Sequence, residues 1–137
     1  MPTIHTRASI QNYLDQVCQW AAGRLDLKAV TLVGSYARDA AKATSDIDIV
    51  LLVDNPSRYL EDTGWTHLFG KVFQKQVEDY GKVTSVRIWY EDGREVEYGL
   101  TTPDWASLPL DEGTKNVIDD GMLVLYDPGS LFGWMEV

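Results

Sequence analysis

Three short stretches of the sequence combine residue types at a spacing that could do chemistry. Gly34-Ser35 closes the apolar run Ala29 to Val33 and leads into the helix-friendly stretch Tyr36 to Ala43. A glycine leaves room for close approach, and backbone N–H groups at a helix start favour an anion such as a phosphate. Arg38, in the first turn of that expected helix, either adds a positive charge beside the phosphate or faces solvent. Ten residues separate Ser35 from Asp46-Ile47-Asp48, the entry to a nearly continuous apolar run that ends at Val53. Alternate side chains of a strand share a face, so Asp46 and Asp48 emerge together while Ile47 and Ile49 enter the core. Two carboxylates one pleat apart repel unless a cation lies between them, and Mg2+, a hard ion that prefers oxygen, suits that place.

The third stretch, Val96-Glu97-Tyr98, sets an acid between two apolar residues. It lies in the second of two β-rich runs, Val83 to Tyr90 and Glu95 to Leu100, joined by Glu91-Asp92-Gly93-Arg94. Asp-Gly at the centre of such a joint predicts a two-residue hairpin turn. That turn puts Glu97 opposite Ile88 and on one face with Tyr90 and Glu95, while Trp89, Val96 and Tyr98 make the other face. Glu97 then projects from the sheet as a candidate third metal ligand. Two metal ions held by three carboxylates can activate a hydroxyl, neutralise a triphosphate and stabilise a departing pyrophosphate.

The elements that must position these residues follow from periodicity. Ile10, Leu14, Val17 and Ala21, widened by Tyr13 and Trp20, mark an amphipathic helix over about 6–22, with Gly23 as its stop. Apolar runs predict strands over 29–33 and 47–53, the second buried on both faces and ended by Asn55-Pro56. A short helix to Phe69 is expected to give way to a strand from about Val72 to Glu78. A helix over 114–120 precedes a last strand over 122–126. Trp65, Trp89, Trp105 and Trp134 could stack a base, but read as core residues.

Composition narrows the function classes. The chain of 137 residues is 45% hydrophobic, contains no internal repeat and has no linker, which predicts one domain over 1–137. Its net charge is −9, and the excess is local: residues 1–90 balance ten bases against ten acids, whereas the remainder sets Arg94 and Lys115 against eleven acids. Such a chain should repel polynucleotide backbones, so nucleic acid is not an expected partner. The N-terminal stretch carries neither a signal-like apolar segment nor a membrane span, and Cys18 is the only cysteine, so a cytoplasmic protein away from membranes is expected. His5 and His67 are too far from it in sequence to give a zinc ligand set.

The stretch Leu32 to Leu52, from Leu-Val-Gly-Ser-Tyr-Ala-Arg to Ser-Asp-Ile-Asp-Ile-Val-Leu-Leu, resembles the signature of the DNA polymerase beta-type nucleotidyltransferase superfamily when the later acid Glu97 is added. Its small bacterial and aminoglycoside-type members are the most similar. The likeness continues through Val77 to Gly81, Glu95 to Leu100, Thr102-Pro103-Asp104-Trp105, Asp120-Gly121 and Tyr126-Asp127-Pro128, most of the chain after residue 28. It implies an α+β fold, a mixed β-sheet backed by helices, with the catalytic core over about 28–126. The reaction it implies moves a nucleoside monophosphate from an NTP, ATP first among them, to a hydroxyl on a small molecule or a protein, releasing pyrophosphate. Carried over, Gly34 and Ser35 hold the triphosphate with Arg38 beside them, and Asp46, Asp48 and Glu97 bind two Mg2+ ions.

Two departures accompany the resemblance. The third acid is Glu, where the polymerases commonly have Asp, which lengthens its reach. Only 40 residues follow Glu97, fewer than the C-terminal helical domain that antibiotic-modifying relatives use for their acceptor. An acceptor pocket completed by the short tail, by a second copy in a homodimer or by another protein is therefore expected. A different function class also fits the resemblance: an antitoxin-like, partner-binding protein that keeps the fold and shows little activity alone. The presence of all three acids favours the enzyme.

Overall fold

The computed structural model describes residues 7–38 and 45–135. Helix α1 (Arg7–Ala22) forms where the apolar stripe predicts it, and Ile10, Tyr13, Leu14, Val17 and Ala21 are all buried. Six strands build one sheet: β1 (Leu27–Val33), β2 (Ile47–Val53), β3 (Val72–Asp79), β4 (Thr84–Tyr90), β5 (Glu95–Thr101) and β6 (Met122–Tyr126). Their order is β3-β4-β5-β2-β1-β6, with β2 and β5 parallel and every other pair antiparallel. The expected α+β class and mixed sheet are observed. Helix α2 (Pro56–Glu61), a 3-10 turn at Gly64–Phe69 and a second at Pro103–Ala106 precede helix α3 (Glu112–Asp120). The helix expected from Tyr36 to Ala43 is a turn over residues 36–38, and its remainder lies outside the described residues.

Alternation along the strands divides the core. Ile47, Ile49, Leu51 and Val53 join Val96, Tyr98 and Leu100 against α1 on one face. Val50, Leu52 and Ala29 pack under Trp105, Ala106, Met122 and Phe132 on the other. Among the described residues no helix is long and apolar enough to cross a membrane.

The hairpin differs from its expected form by one residue. Trp89 pairs with Glu95 and Arg87 with Glu97. Tyr90 N–H donates to Arg94 O at 2.8 Å and Gly93 N–H to Tyr90 O at 3.0 Å, so Glu91-Asp92-Gly93 spans the turn. Gly93 has φ 96°, the left-handed residue that ends a three-residue loop of this kind. A one-residue shift exchanges the faces of the first strand. Tyr90 therefore enters the core and Trp89 joins the face of Glu97, the reverse of the two-residue arrangement, and Arg87 replaces Ile88 as the partner of Glu97.

Directly beneath Glu97, a chain of hydroxyls satisfies the buried tyrosines. Tyr13 OH donates to Tyr98 OH at 2.5 Å, and Tyr90 OH donates to Thr66 O at 2.7 Å. Since Tyr90 has spent its proton, Tyr98 OH donates across the remaining 2.8 Å to Tyr90. Removal of the middle hydroxyl strands Tyr13 as a buried donor, which costs about 1–3 kcal/mol. Tyr98→Phe is expected to lower unfolding free energy by that amount in urea titrations, and an unchanged midpoint would show the chain to be dispensable.

Candidate active site

The site is assembled by strand pairing. β2 and β5 run parallel with Asp48 directly beside Glu97, and Asp46 lies one pleat earlier at the entry to β2. One carboxylate oxygen from each of Asp46, Asp48 and Glu97 lies within 4.8 Å of the others, and all three side chains are half-buried. Gly34 follows β1, whose Val33 pairs with Asp48. It has φ +76°, and a Cβ there would collide with the Asp48 carboxylate. The glycine is thus required twice, by its left-handed backbone and by the acid pressed against it. Ala37 and Arg38 N–H groups fold back onto Gly34 O at 3.1 and 3.2 Å. Ser35, half-buried, follows Gly34 in that turn.

A cleft of about 240 Å³ opens at these residues. Val33, Val50 and Val83 give it an apolar floor, Asp48 and Glu97 form one wall, and Val117 and Asp120 of α3 close the other side. Arg38 does not reach into the acids. Its Nη1 donates to Asp120 Oδ2 at 2.6 Å, tying the turn after Gly34 to the end of α3. The structure therefore brings Gly34, Asp46, Asp48 and Glu97 together, keeps Ser35 beside them and holds Arg38 at the rim on a carboxylate.

Arg87 is the residue that the sequence left unmarked. Its Nε donates to Glu78 Oε1 at 2.9 Å and its Nη1 to Glu95 Oε2 at 2.5 Å and Asp46 Oδ2 at 3.2 Å. Nη2 lies 3.3 Å from Glu97 Oε1, an ion-pair distance without the alignment of a hydrogen bond, so we count it as electrostatic contact only. The signal that could have found it is Gly93 read as the third residue of a three-residue loop, which sets Arg87 opposite Glu97.

Asp48 stands outside this network. Its Oδ1 is buried and finds no hydrogen-bond partner among the described residues. Burial first, then the neighbouring carboxylates of Asp46 and Glu97, push its pKa up to about 8. An orphaned buried carboxylate oxygen, two further acids within reach and a glycine that leaves the approach open together fit a divalent cation with oxygen ligands. The donor set is hard throughout, as Mg2+ prefers, and contains no sulfur or imidazole.

The raised pKa carries a stability consequence with a definite sign. An unfolded Asp titrates near about 4, so the folded state binds the extra proton between pH 4 and about 8. The metal-free chain is most favoured below that window with respect to this group, and loses stability as pH rises through it. Asp48→Asn removes the dependence and is expected to raise metal-free stability at neutral pH by about 1–2 kcal/mol, allowing for water in the open cleft. Melting temperatures recorded from pH 5 to 8 with EDTA check this; a fall in the variant as steep as in the unaltered chain would refute it.

The chain is similar to known proteins in sequence profile and in fold. Residues 7–123 match the sequence profile of the family described as streptomycin adenylyltransferase. No curated protein matches the chain. Among solved structures, an aminoglycoside 6-adenyltransferase from Bacillus subtilis superposes with a TM-score of 0.59 at 21% identity, over 82% of this chain and 39% of that one. A CCA-adding enzyme in its apo form aligns with a TM-score of 0.49 at 19% identity, over 84% of this chain and 24% of that one, and no argument rests on it. The chain spans about two fifths of the length of the first of these structures. With the profile covering most of its residues, the chain belongs to the streptomycin adenylyltransferase family.

Proposed function

We propose that the chain works as a single nucleotidyltransferase domain that moves the adenylyl group of ATP to a hydroxyl of a cationic small molecule such as an aminoglycoside. The observation that carries the reading is the convergence of Asp46, Asp48 and Glu97 beside a glycine that cannot bear a side chain. In this reading the three carboxylates hold two Mg2+ ions, which when bound neutralise the triphosphate and lower the pKa of the attacking hydroxyl. The acceptor oxygen bonds to the α-phosphorus, the bond from that phosphorus to the β-phosphate oxygen breaks, pyrophosphate leaves, and the hydroxyl proton passes to the acidic cluster. Gly34 admits the phosphates at the end of β1, with Ser35 in the turn beside them. Arg38, already at the rim, has to exchange Asp120 for a phosphate to take the part foreseen for it.

The acceptor class follows from charge. Asp48, Glu97 and Asp120 line the cleft, and Asp46, Glu78 and Glu95 gather beside it around Arg87, while Arg38 is tied to Asp120. A field of that sign favours a cationic acceptor and weakens as salt shortens the screening length. ATP carries about four negative charges, so without a divalent ion its approach to three carboxylates is opposed.

The test combines labelled ATP and Mg2+ with basic, neutral and acidic hydroxyl compounds at low and high salt. Pyrophosphate release and label transfer are expected with the basic acceptors, more at low salt, and not in EDTA or with Asp46→Asn. Gly34→Val is expected to abolish ATP binding in calorimetry by displacing the Asp48 carboxylate and filling the phosphate approach. Absence of transfer to every acceptor from a folded chain, or equal ATP affinity in EDTA and Mg2+, would sink the reading.

A further inference from the structure

Arg87 sits at the junction of three strands, only 19% exposed, and faces four carboxylates. Two of these, Glu78 and Glu95, lie outside the metal-binding trio and make its shorter bonds, 2.9 and 2.5 Å. Glu95 is itself held, because its Oε1 accepts from Trp89 Nε1 at 3.0 Å. The guanidinium is therefore anchored from β3 and β5 without help from the trio. From that fixed position its remaining reach goes to one oxygen of Asp46, at 3.2 Å, and one of Glu97, at 3.3 Å. Arg87 thus engages one oxygen of each of these acids.

We propose that Arg87 is the positioning residue of the acidic cluster, a guanidinium fixed by Glu78 and Glu95 that holds Asp46 and Glu97 as a ready-made pair of metal ligands. The proposal rests on the metal-binding reading above and extends it to a residue outside the ligand set. Glu97 has one more rotatable bond than an aspartate, and its cross-strand partner removes that freedom. The planar fork of an arginine can span several carboxylates at fixed angles, whereas an ammonium offers a point charge. A resident cation also repels an incoming metal ion. Here Glu78 and Glu95 set two negative charges against the single charge of Arg87, which offsets that repulsion, while its hydrogen bond to Asp46 and its ion pair with Glu97 remain. Positioning therefore outweighs repulsion.

The experiment is titration of the full chain with Mn2+ alone by calorimetry, for the unaltered protein, Arg87→Met, Arg87→Lys and Glu95→Gln. Loss of an outer partner of metal ligands typically costs about 10–100-fold in metal affinity, and Arg87→Met is expected to fall in that range. Arg87→Lys restores charge without the fork and should recover only part of the affinity. Glu95→Gln keeps the Trp89 bond and leaves the trio untouched, and should weaken Mn2+ in the same direction by less. In adenylyl transfer, Arg87→Met is expected to lower kcat with little change in the KM of the acceptor. Melting curves in EDTA establish that each variant is folded; should Arg87→Met not fold, the Lys and Gln variants carry the comparison. Mn2+ bound as tightly by the folded variants as by the unaltered chain, or more tightly, would overturn the proposal and leave Arg87 a counter-ion. No Mn2+ binding by the unaltered chain would overturn the metal reading itself, and this proposal with it.

Discussion

The parallel pairing of β2 with β5, in the register that sets Asp48 beside Glu97, is the constraint on which the molecule turns. Parallel neighbours need a long crossover, and here α2, the first 3-10 turn and the β3-β4 strands fill it. Because backbone pairing fixes the acids, their mutual repulsion must be borne by what lies behind them. At the observed separation, within 4.8 Å, two like charges repel by about 3 kcal/mol at an effective dielectric near 20. The reverse face holds Ile47, Ile49, Val96 and Tyr98, each at most 1% exposed. Burying one such apolar side chain contributes about 1.5–3 kcal/mol, so these side chains and the sheet hydrogen bonds can hold the acids close.

That division of labour runs along β5 residue by residue. Val96, Tyr98 and Leu100 face α1 and are closed to water, while Glu97 and Gly99 line the cleft and Glu95 shares their face of the strand. Gly99 is constrained by space alone: a Cβ on it would lie 2.8 Å from the side chain of Val83, which lines the cleft. Tyr98 links the two sides, since its hydroxyl chain to Tyr13, Tyr90 and Thr66 fixes the strand whose next residue outward is Glu97. Flexing there would move the Glu97 carboxylate directly.

Much of this was legible in the amino-acid sequence because it depends on local pattern. The Ile47–Val53 run, the stripe from Ile10 to Ala21 and the Asp46-x-Asp48 spacing each encode burial or facing within a few residues, and all appear where the pattern puts them. What was illegible depends on one-residue details or on contacts across the chain. Asp92-Gly93 fits a two-residue or a three-residue turn, and the choice swaps Ile88 for Arg87 opposite Glu97. The partners of Arg87 come from β2, β3 and β5, and no local signal joins them. Arg38 reads equally as a phosphate contact or a surface charge until α3 brings Asp120 to it. α2 begins at Pro56, a residue that also ends the preceding strand, and so reads as a stop.

The distribution of charge in the cluster is uneven, and the unevenness has a direction. Arg87 compensates Asp46 and Glu97 from the β4 side and has no ion pair with Asp48 among the described residues. Asp48 is the acid nearest Gly34, with one oxygen unsatisfied and burial holding its pKa up to about 8. Glu97 Oε1 is likewise buried without a hydrogen bond but has the ion pair with Arg87, so the positive charge is missing most at the acid beside the glycine. A divalent ion arriving with a polyphosphate meets both needs at once, since it can take the orphaned oxygen and offset the phosphate charge against the same wall. The metal-free fold gives up stability at this one acid, and in the function proposed above that concession would favour a cation and a phosphate arriving together.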